Sequence, residues 1–235
     1  FAKDFPKPAI TEMGGKNPTV VLKDADLDYA ADILINGAFF STGQKCTACS
    51  RAIIEKAIAG PLVEKLVAKT RKMKVGNGLE PGIDMGPAVD ASQLETDLKY
   101  IEIAKQEGAK LLCGGSRLTG GVYDKGYFVE PTIFGDVKPE MRIAQEEIFG
   151  PVLALMVAED FDDAMRLANS ARFGLHQFIN RIEAGLITVN LPTAGVEYQL
   201  PFGGTKESSF GMREQGPLAL DFYTETRTVY LKYTQ

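Results

Sequence analysis

The sequence predicts an α/β domain with a mostly parallel sheet flanked by helices. Two observations carry this. Short apolar runs alternate with longer segments whose apolar residues recur at helical spacing, the pattern of repeated βαβ units. One run, residues 152–157, is apolar at every position, as a strand buried on both sides would be. With 235 residues, 45% of them hydrophobic, the chain can bury a full core.

The elements follow in order. Residues 8–13 read as a short apolar strand ending at Gly14-Gly15, and residues 19–22 as a second strand. Asp24-Ala25-Asp26 is a good N-cap region for a helix whose face is Leu27, Ala30, Ala31, Leu34 and Ala38. Thr42-Gly43-Gln44 breaks it, and residues 51–56 read as a strand. Pro61 is expected to open the next helix, with Leu62, Leu66 and Met73 inward. Residues 76–87 are a loop rich in Gly, Pro, Asn and Asp, followed by an amphipathic helix over 91–106 that stops at Gly108. Residues 110–113 are a short strand, and the glycines from 114 to 126 form a surface loop. Residues 128–137 are extended but interrupted by Pro131, which places them at an edge or bulge. After the strand at 152–157 come a helix over 161–172 and a buried-looking strand over 185–190. The join between Leu175 and His176 leaves no room for the strand that an alternating fold places there, so residues are missing at that point.

Charge and cysteine usage exclude several function classes. A net charge of -5 without clustered Lys/Arg offers no footprint for nucleic acid or an anionic membrane. No apolar run reaches the roughly 18–20 residues of a membrane span, and the N-terminus has no signal-peptide pattern. It begins at Phe1 without Met, close to a strand-like segment, and reads as a cut end. Three cysteines in a chain of this length are no disulfide framework, and a cytoplasmic location is the expectation.

The chemistry centres on Cys46. The only histidine, His176, lies far from any nucleophile motif and reads as a surface or cap residue. Gly14-Gly15-Lys16 does not continue as a phosphate loop, and the glycines at 114–126 do not match a dinucleotide turn. Cys46 and Cys49 form a CxxC with three readings: half of a zinc site completed by Cys113 and His176, a redox pair, or one reactive thiol beside a packing cysteine. The inert buried cysteine stands against the third. A glycine-loosened turn beside Lys45, with free backbone N–H groups, would favour the thiolate. Without a histidine a general base must be a carboxylate. Glu12, between an apolar run and Gly-Gly, would have its pKa raised by partial burial, unless it simply faces water. Glu146-Glu147-Ile148-Phe149-Gly150-Pro151 and Pro201-Phe202-Gly203-Gly204 with Lys206 and Ser208 are further polar turns.

Taken together, Glu12-Met13-Gly14-Gly15-Lys16-Asn17-Pro18, Gly43-Gln44-Lys45-Cys46, Glu147-Ile148-Phe149-Gly150-Pro151 and Pro201-Phe202-Gly203-Gly204-Thr205-Lys206 resemble, in order and spacing, the signatures of the NAD(P)-dependent aldehyde dehydrogenase superfamily. The resemblance covers essentially the whole chain, and the stretch from Ser208 through Gln215-Gly216 is most similar to oxoglutarate-semialdehyde-type members. It implies Cys46 as the nucleophile that attacks the aldehyde, with its own N–H in the oxyanion hole, and Glu12 as general base. Glu214 matches a position of proton relay or structural support. Glu147 would hold the nicotinamide ribose, Phe149 would pack near the ring, and Gly14 with Gly15 would let the backbone approach it. No metal is implied; the cofactor is NAD or NADP and the substrate a small aldehyde. By the same resemblance residues 1–12 are the tail of a cofactor-binding domain and 13–208 the catalytic domain. Residues 209–222 return to the cofactor domain, and 223–235 are an oligomerisation strand of a homo-oligomer. The part of that family that binds most of the cofactor and completes the oxyanion hole is not in this sequence, so the chain alone is expected to be inactive, a non-enzymatic fragment or scaffold being the alternative.

Overall fold

The computed structural model describes residues 8–174 and 181–232; the join between Leu175 and His176, and His176 itself, lie outside them. The expected first strand shrinks to β1 (Thr11–Glu12), which is exposed and does not join the main sheet. Its partner lies nearly two hundred positions away in the chain, so the local apolar pattern could not reveal the pairing. β2 (Asn17–Val21) is the first strand of the core. α1 (Leu27–Phe39) starts where the capping residues placed it: the Asp26 carboxylate accepts from the N–H groups of Asp28 and Tyr29. A 3-10 turn (Phe40–Gly43) then leads through the Cys46 loop into β3 (Cys49–Glu55).

The helix expected to open at Pro61 is α2 (Lys56–Thr70), which starts directly from β3 and carries Pro61 inside. The exposed ring costs α2 only the bond that an N–H at this position would make to Ala57, and burial of Leu62, Leu66 and Thr70 outweighs it. α3 (Ala91–Gln106) is capped by Asp90, whose carboxylate accepts from the N–H of Gln93, and Gly108 beyond its end has a positive φ of 90°. β4 (Lys110–Cys113) and β5 (Thr132–Gly135) pair antiparallel, with a register irregularity between Leu111 and Cys113. β5 is an interior strand and not the expected edge: Pro131 sits just before it, so the missing N–H interrupts no ladder. The short α4 (Arg142–Gln145) precedes β6 (Val152–Ala158), and α5 (Phe161–Ala168) ends four residues earlier than its periodicity suggested.

The main sheet has the order β2-β3-β6-β5-β4, parallel except at β4. Alternate residues of the inner strands face two separate cores, which is why these strands read as unbroken apolar runs. Ala52, Ile54, Leu153 and Leu155 pack with α1 and α2; Ile53, Phe134, Ala154 and Met156 pack with α3 and α5. Arg51 of β3 is fully buried and ties this second layer together. Its guanidinium donates to the carbonyls of Lys16 (3.0 Å), Leu167 (3.1 Å) and Ala168 (2.9 Å), so a cation sits on the C-terminal carbonyls of α5.

Residues 185–190 are not the strand their apolar character suggested. They run through bends with a single isolated bridge position at Leu186, Ile187 and Val189 are partly exposed, and a cavity separates them from the β2 edge. A strand exists only where a neighbour completes its ladder. The remaining short elements are β7 (Phe173–Gly174), paired with β8 (Thr205–Lys206), then β9 (Ser209–Phe210), the partner of β1, and α6 (Ala219–Tyr223). Residues 224–232 form neither helix nor strand, and Val229, Tyr230 and Leu231 are exposed. Among the described residues no helix is long and apolar enough to cross a membrane.

Candidate active site

The Cys46 loop leaves α1 through a left-handed turn: Ser41, Thr42 and Gly43 have φ of 57°, 57° and 66°. Such backbone costs the two non-glycine residues on the order of 1 kcal/mol each, so neighbours must hold it. Thr42 Oγ1 donates to the Gly86 carbonyl (3.2 Å), and the Gln44 side chain brackets Pro87 and Val89, accepting from Val89 N–H at 2.9 Å. The loop 76–87, featureless in sequence, is therefore the support of the cysteine turn. Gly43 must be glycine, because a Cβ there would strike the Gly150 carbonyl.

Asn17, at the head of β2, pins the other side. Its Nδ2 donates to the carbonyls of Cys46 (2.7 Å) and Ala48 (2.8 Å) from a buried position. Sequence reasoning missed this role, since an Asn opening a strand carries no periodic signal; only its place in the Gly-Gly-Lys-Asn-Pro motif marked it. Asn17→Ala leaves two carbonyls without donors and should lower stability by about 2 kcal/mol. Urea unfolding checks the loss, and alkylation of Cys46 should change rate in parallel; an unchanged midpoint and rate would show that the loop does not depend on Asn17.

Cys46 itself is half-buried. Its thiol pKa is raised, first by burial and then by the nearby carboxylates Glu147 and Glu12, while the N–H groups of Cys46 and Thr47 pull it the other way. This corrects the expectation of a ready thiolate: the leading charges on the thiol are the two carboxylates, which oppose ionisation. Cys49 is a different residue altogether. It is buried in the α1–α2 core, accepts from Thr19 Oγ1 at 3.1 Å, and has its pKa pushed up to about 11 by burial. Cys113 lies on β4, three strand spacings from β3 or roughly 14 Å, too far to share a metal ion with Cys49.

Glu12 reaches the site from β1. Pairing with β9 places Ser209 opposite it, and Ser209 Oγ donates to Glu12 Oε2 at 2.6 Å. Its pKa is raised, by burial first and also by Glu214, against the lowering effects of Ser209 and Arg213. Glu214 is brought there by a two-way backbone bridge with Phe202, and Arg213 donates to the Gly204 carbonyl at 2.9 Å. One stretch, residues 202–214, thus folds back on a carboxylate nearly two hundred positions away in the chain.

Glu147 closes the constellation. Its Oε1 accepts from the Gly15 N–H at 3.0 Å, and a Cβ on Gly14 would stand 2.6 Å from Oε2. Gly14 and Gly15 are therefore approached from within the chain, by the Glu147 carboxylate and the Cys46 carbonyl respectively. Burial raises the Glu147 pKa, against Gly15 and Lys16. Lys16 is fully buried, and burial together with Arg51 brings its pKa down to about 7. Phe149 holds a positive φ of 60° and a partly exposed ring, and lines a narrow cleft with Gly15, Lys45 and Glu147. Behind it Asp97 of α3 is buried against Gly150, its Oδ1 accepting from Gln93 Nε2 at 2.8 Å while Gln93 also donates to the Ile148 carbonyl. Of the six residues expected of the site, Gly14 lies against Glu147, Phe149 shares a cleft with Glu147, and Cys46, Glu12 and Glu214 are linked to them or to each other through the charges that shift their pKa values. Asn17, Arg51, Asp97 and Ser209 are the supports that the sequence did not disclose.

A thiol, two carboxylates of raised pKa and a tight glycine turn are groups with which attack on a carbonyl can be built. In the comparison with known proteins, the profile of the aldehyde dehydrogenase family matches residues 2–229. The chain belongs to that family. It is 49% identical over 233 residues to the alpha-ketoglutaric semialdehyde dehydrogenase of Bacillus subtilis, covering 94% of this chain and 48% of the relative. It is 46% identical over 245 residues to the alpha-ketoglutarate semialdehyde dehydrogenase of Haloferax volcanii, covering 99% of this chain and 50% of the relative. The betaine aldehyde dehydrogenase of Staphylococcus aureus, solved in complex with NAD+, superposes with a TM-score of 0.88 at 33% identity over 91% of this chain and 44% of that one. The chain thus spans about half the length of the curated relatives it matches.

Proposed function

We propose that this chain is the catalytic portion of an NAD(P)-dependent aldehyde dehydrogenase, with Cys46 as nucleophile and Glu12 as general base. The observation that carries the proposal is the placement of the Cys46 thiol under the influence of both Glu12 and Glu147. Glu12, its pKa raised, takes the thiol proton as sulfur bonds to the aldehyde carbon, giving a thiohemiacetal on Cys46. The N–H of Cys46 stabilises the developing oxyanion. Bound NAD or NADP supplies the acceptor for the hydride whose loss turns the thiohemiacetal into a thioester. Glu12 releases the thiol proton to solvent and then takes one from water as that water attacks the thioester; the tetrahedral adduct expels the Cys46 sulfur, which recovers a proton from Glu12, and the carboxylic acid leaves. Ser209 orients Glu12, and Glu214 helps to keep its pKa up.

The residues present fit one end of such a cofactor. Gly15 donates to Glu147 Oε1, which fixes a carboxylate that would hold the nicotinamide ribose, and the partly exposed ring of Phe149 would pack beside the nicotinamide. The names of the relatives favour a semialdehyde of an oxo acid as substrate. The β1–β9 pairing supports residues 1–12 and 209–222 as parts of one cofactor-domain unit, with 13–208 catalytic. The exposed apolar residues of 223–235 suit an oligomerisation strand. Half the length of its relatives, the chain alone is proposed to be inactive as a dehydrogenase.

Quantitative alkylation with mass tagging tests the nucleophile. Cys46 should react faster than Cys113, with Cys49 protected until unfolding. Its raised pKa should make the rate climb about tenfold per pH unit through pH 8. A Cys46 no more reactive than Cys113 would sink the assignment. Incubation of the chain with NAD and a panel of aldehydes should give no NADH; a steady NADH signal would overturn the inactivity of the chain alone.

A further inference from the structure

At the β4 edge of the main sheet, far from the Cys46 loop, the end of α2 and β4 line a cavity of about 460 Å³. Small-molecule sites fall in the range of roughly 300–1,000 Å³. Met73, Val75, Leu112 and Leu118 give it apolar walls. Tyr123 braces it: its Oη donates to the Val75 carbonyl at 3.2 Å, and its ring meets Phe128 edge-on at 5.4 Å. No residue of the candidate active site belongs to this lining.

Three polar groups of the lining lack the partners that their chemistry calls for. Thr70 is only 1% exposed, yet its Oγ1 has no hydrogen-bond partner, and an unpaired buried hydroxyl is costly. Arg71 donates one long bond, 3.3 Å, to the Leu112 carbonyl. Among the described residues neither Arg71 nor Glu130 belongs to an ion pair. Both nevertheless act on the Cys113 thiol: burial raises its pKa first, Arg71 lowers it through a side-chain hydrogen bond, and the charge of Glu130 raises it. A guanidinium and a carboxylate thus line one cavity beside one thiol without neutralising each other.

We infer that this cavity binds a small zwitterion, an α-amino acid with an apolar side chain. Its carboxylate pairs with the forked donors of Arg71 and accepts from Thr70 Oγ1, and its ammonium donates to Glu130. Because both protein charges act on the same thiol, the two ligand charges must be close together, as they are on one α-carbon. The ligand side chain lies against Met73, Val75 and Leu118. A ligand with one charge would leave either Arg71 or Glu130 unpaired, so the site discriminates by charge as well as by shape. This goes beyond the dehydrogenase reading and does not depend on it, because it requires neither Cys46 nor a cofactor.

The test uses the whole 235-residue chain, with L-phenylalanine as the probe. Alkylation by iodoacetamide is timed at each cysteine by peptide mass. Phenylalanine should slow the reaction of Cys113 saturably, by about fivefold or more, and leave Cys46 unchanged. 3-Phenylpropanoate and phenethylamine, which each lack one of its two charges, should leave Cys113 within about twofold of its free rate. Arg71→Gln and Glu130→Gln should each raise the half-protecting concentration about tenfold with an unchanged circular dichroism spectrum, and Thr70→Val about threefold. Saturation-transfer NMR on the phenylalanine ring gives the same comparisons without relying on the thiol. Neither protection nor saturation transfer at about 20 mM phenylalanine, well above a millimolar Kd, would overturn the inference. Equal protection by either analogue would mean that the cavity reads apolar surface and not two charges, which is also against it. Protection undiminished in both Arg71→Gln and Glu130→Gln, or shared by Cys46, would place the ligand elsewhere. The rate of Cys46 against Cys113 without phenylalanine still tests the nucleophile separately.

Discussion

Arg51→Ala should cost this chain about 3–5 kcal/mol of folding free energy, the largest loss expected from any single substitution described above. Arg51 is fully buried and, among the described residues, no carboxylate pairs with it; what holds its charge is a set of carbonyls. Burial alone brings its pKa down to about 10, so it remains charged at neutral pH. Removing it orphans the carbonyls of Lys16, Leu167 and Ala168 together, and uncaps α5 while leaving a hole beside β2. Arg51→Lys should recover only part of the loss, since one ammonium cannot span both the Lys16 carbonyl and the end of α5. Urea denaturation of the three proteins would decide it, and Arg51→Ala within 1 kcal/mol of the parent would refute the account.

The second large effect is on pH dependence and belongs to Asp97. Burial raises its pKa from 3.8 to about 7 in the folded chain. Between those values the folded state holds a proton that the unfolded chain has released, so stability falls as pH rises through this window. The penalty is absent below about pH 4, grows as the unfolded chain ionises, and levels off above pH 7. Asp97→Asn removes the titration, and relative to it the parent should lose on the order of 3 kcal/mol between pH 4 and pH 8. Lys16, whose folded pKa is lowered, makes stability rise with pH from about 7 upward, but it is common to both proteins and cancels in the comparison. Parallel pH profiles for the two proteins would show that Asp97 is ionised throughout. The residue matters to the site because it backs Gly150, and a shift there is felt at Phe149 and Glu147.

How legible each element was depended on where its decisive partner lies. α1 and α3 were readable to within a residue or two, because Asp26 and Asp90 cap them locally and their apolar stripes repeat. The two strands that went astray, residues 8–13 and 185–190, failed for a shared reason. Each has an apolar run but no neighbour in the main sheet, and nothing in a run announces its ladder partner. α2 hid its start because Pro61 imitates an opening signal from inside the helix. In the site, the chemically capable residues stood out by type and order, whereas their supports did not.

By itself the sequence determined the layer architecture and the family and nominated the six residues of the candidate site, since these depend on periodicity, capping and motif order along the chain. The protonation of Cys46, the burial of Asp97 and Arg51, the convergence of Glu214 on Glu12 and the open edge of β2 were decided only in three dimensions. Electrostatic shifts and unpaired backbone arise from what surrounds a group in space, and residues a hundred or more positions apart supply those surroundings.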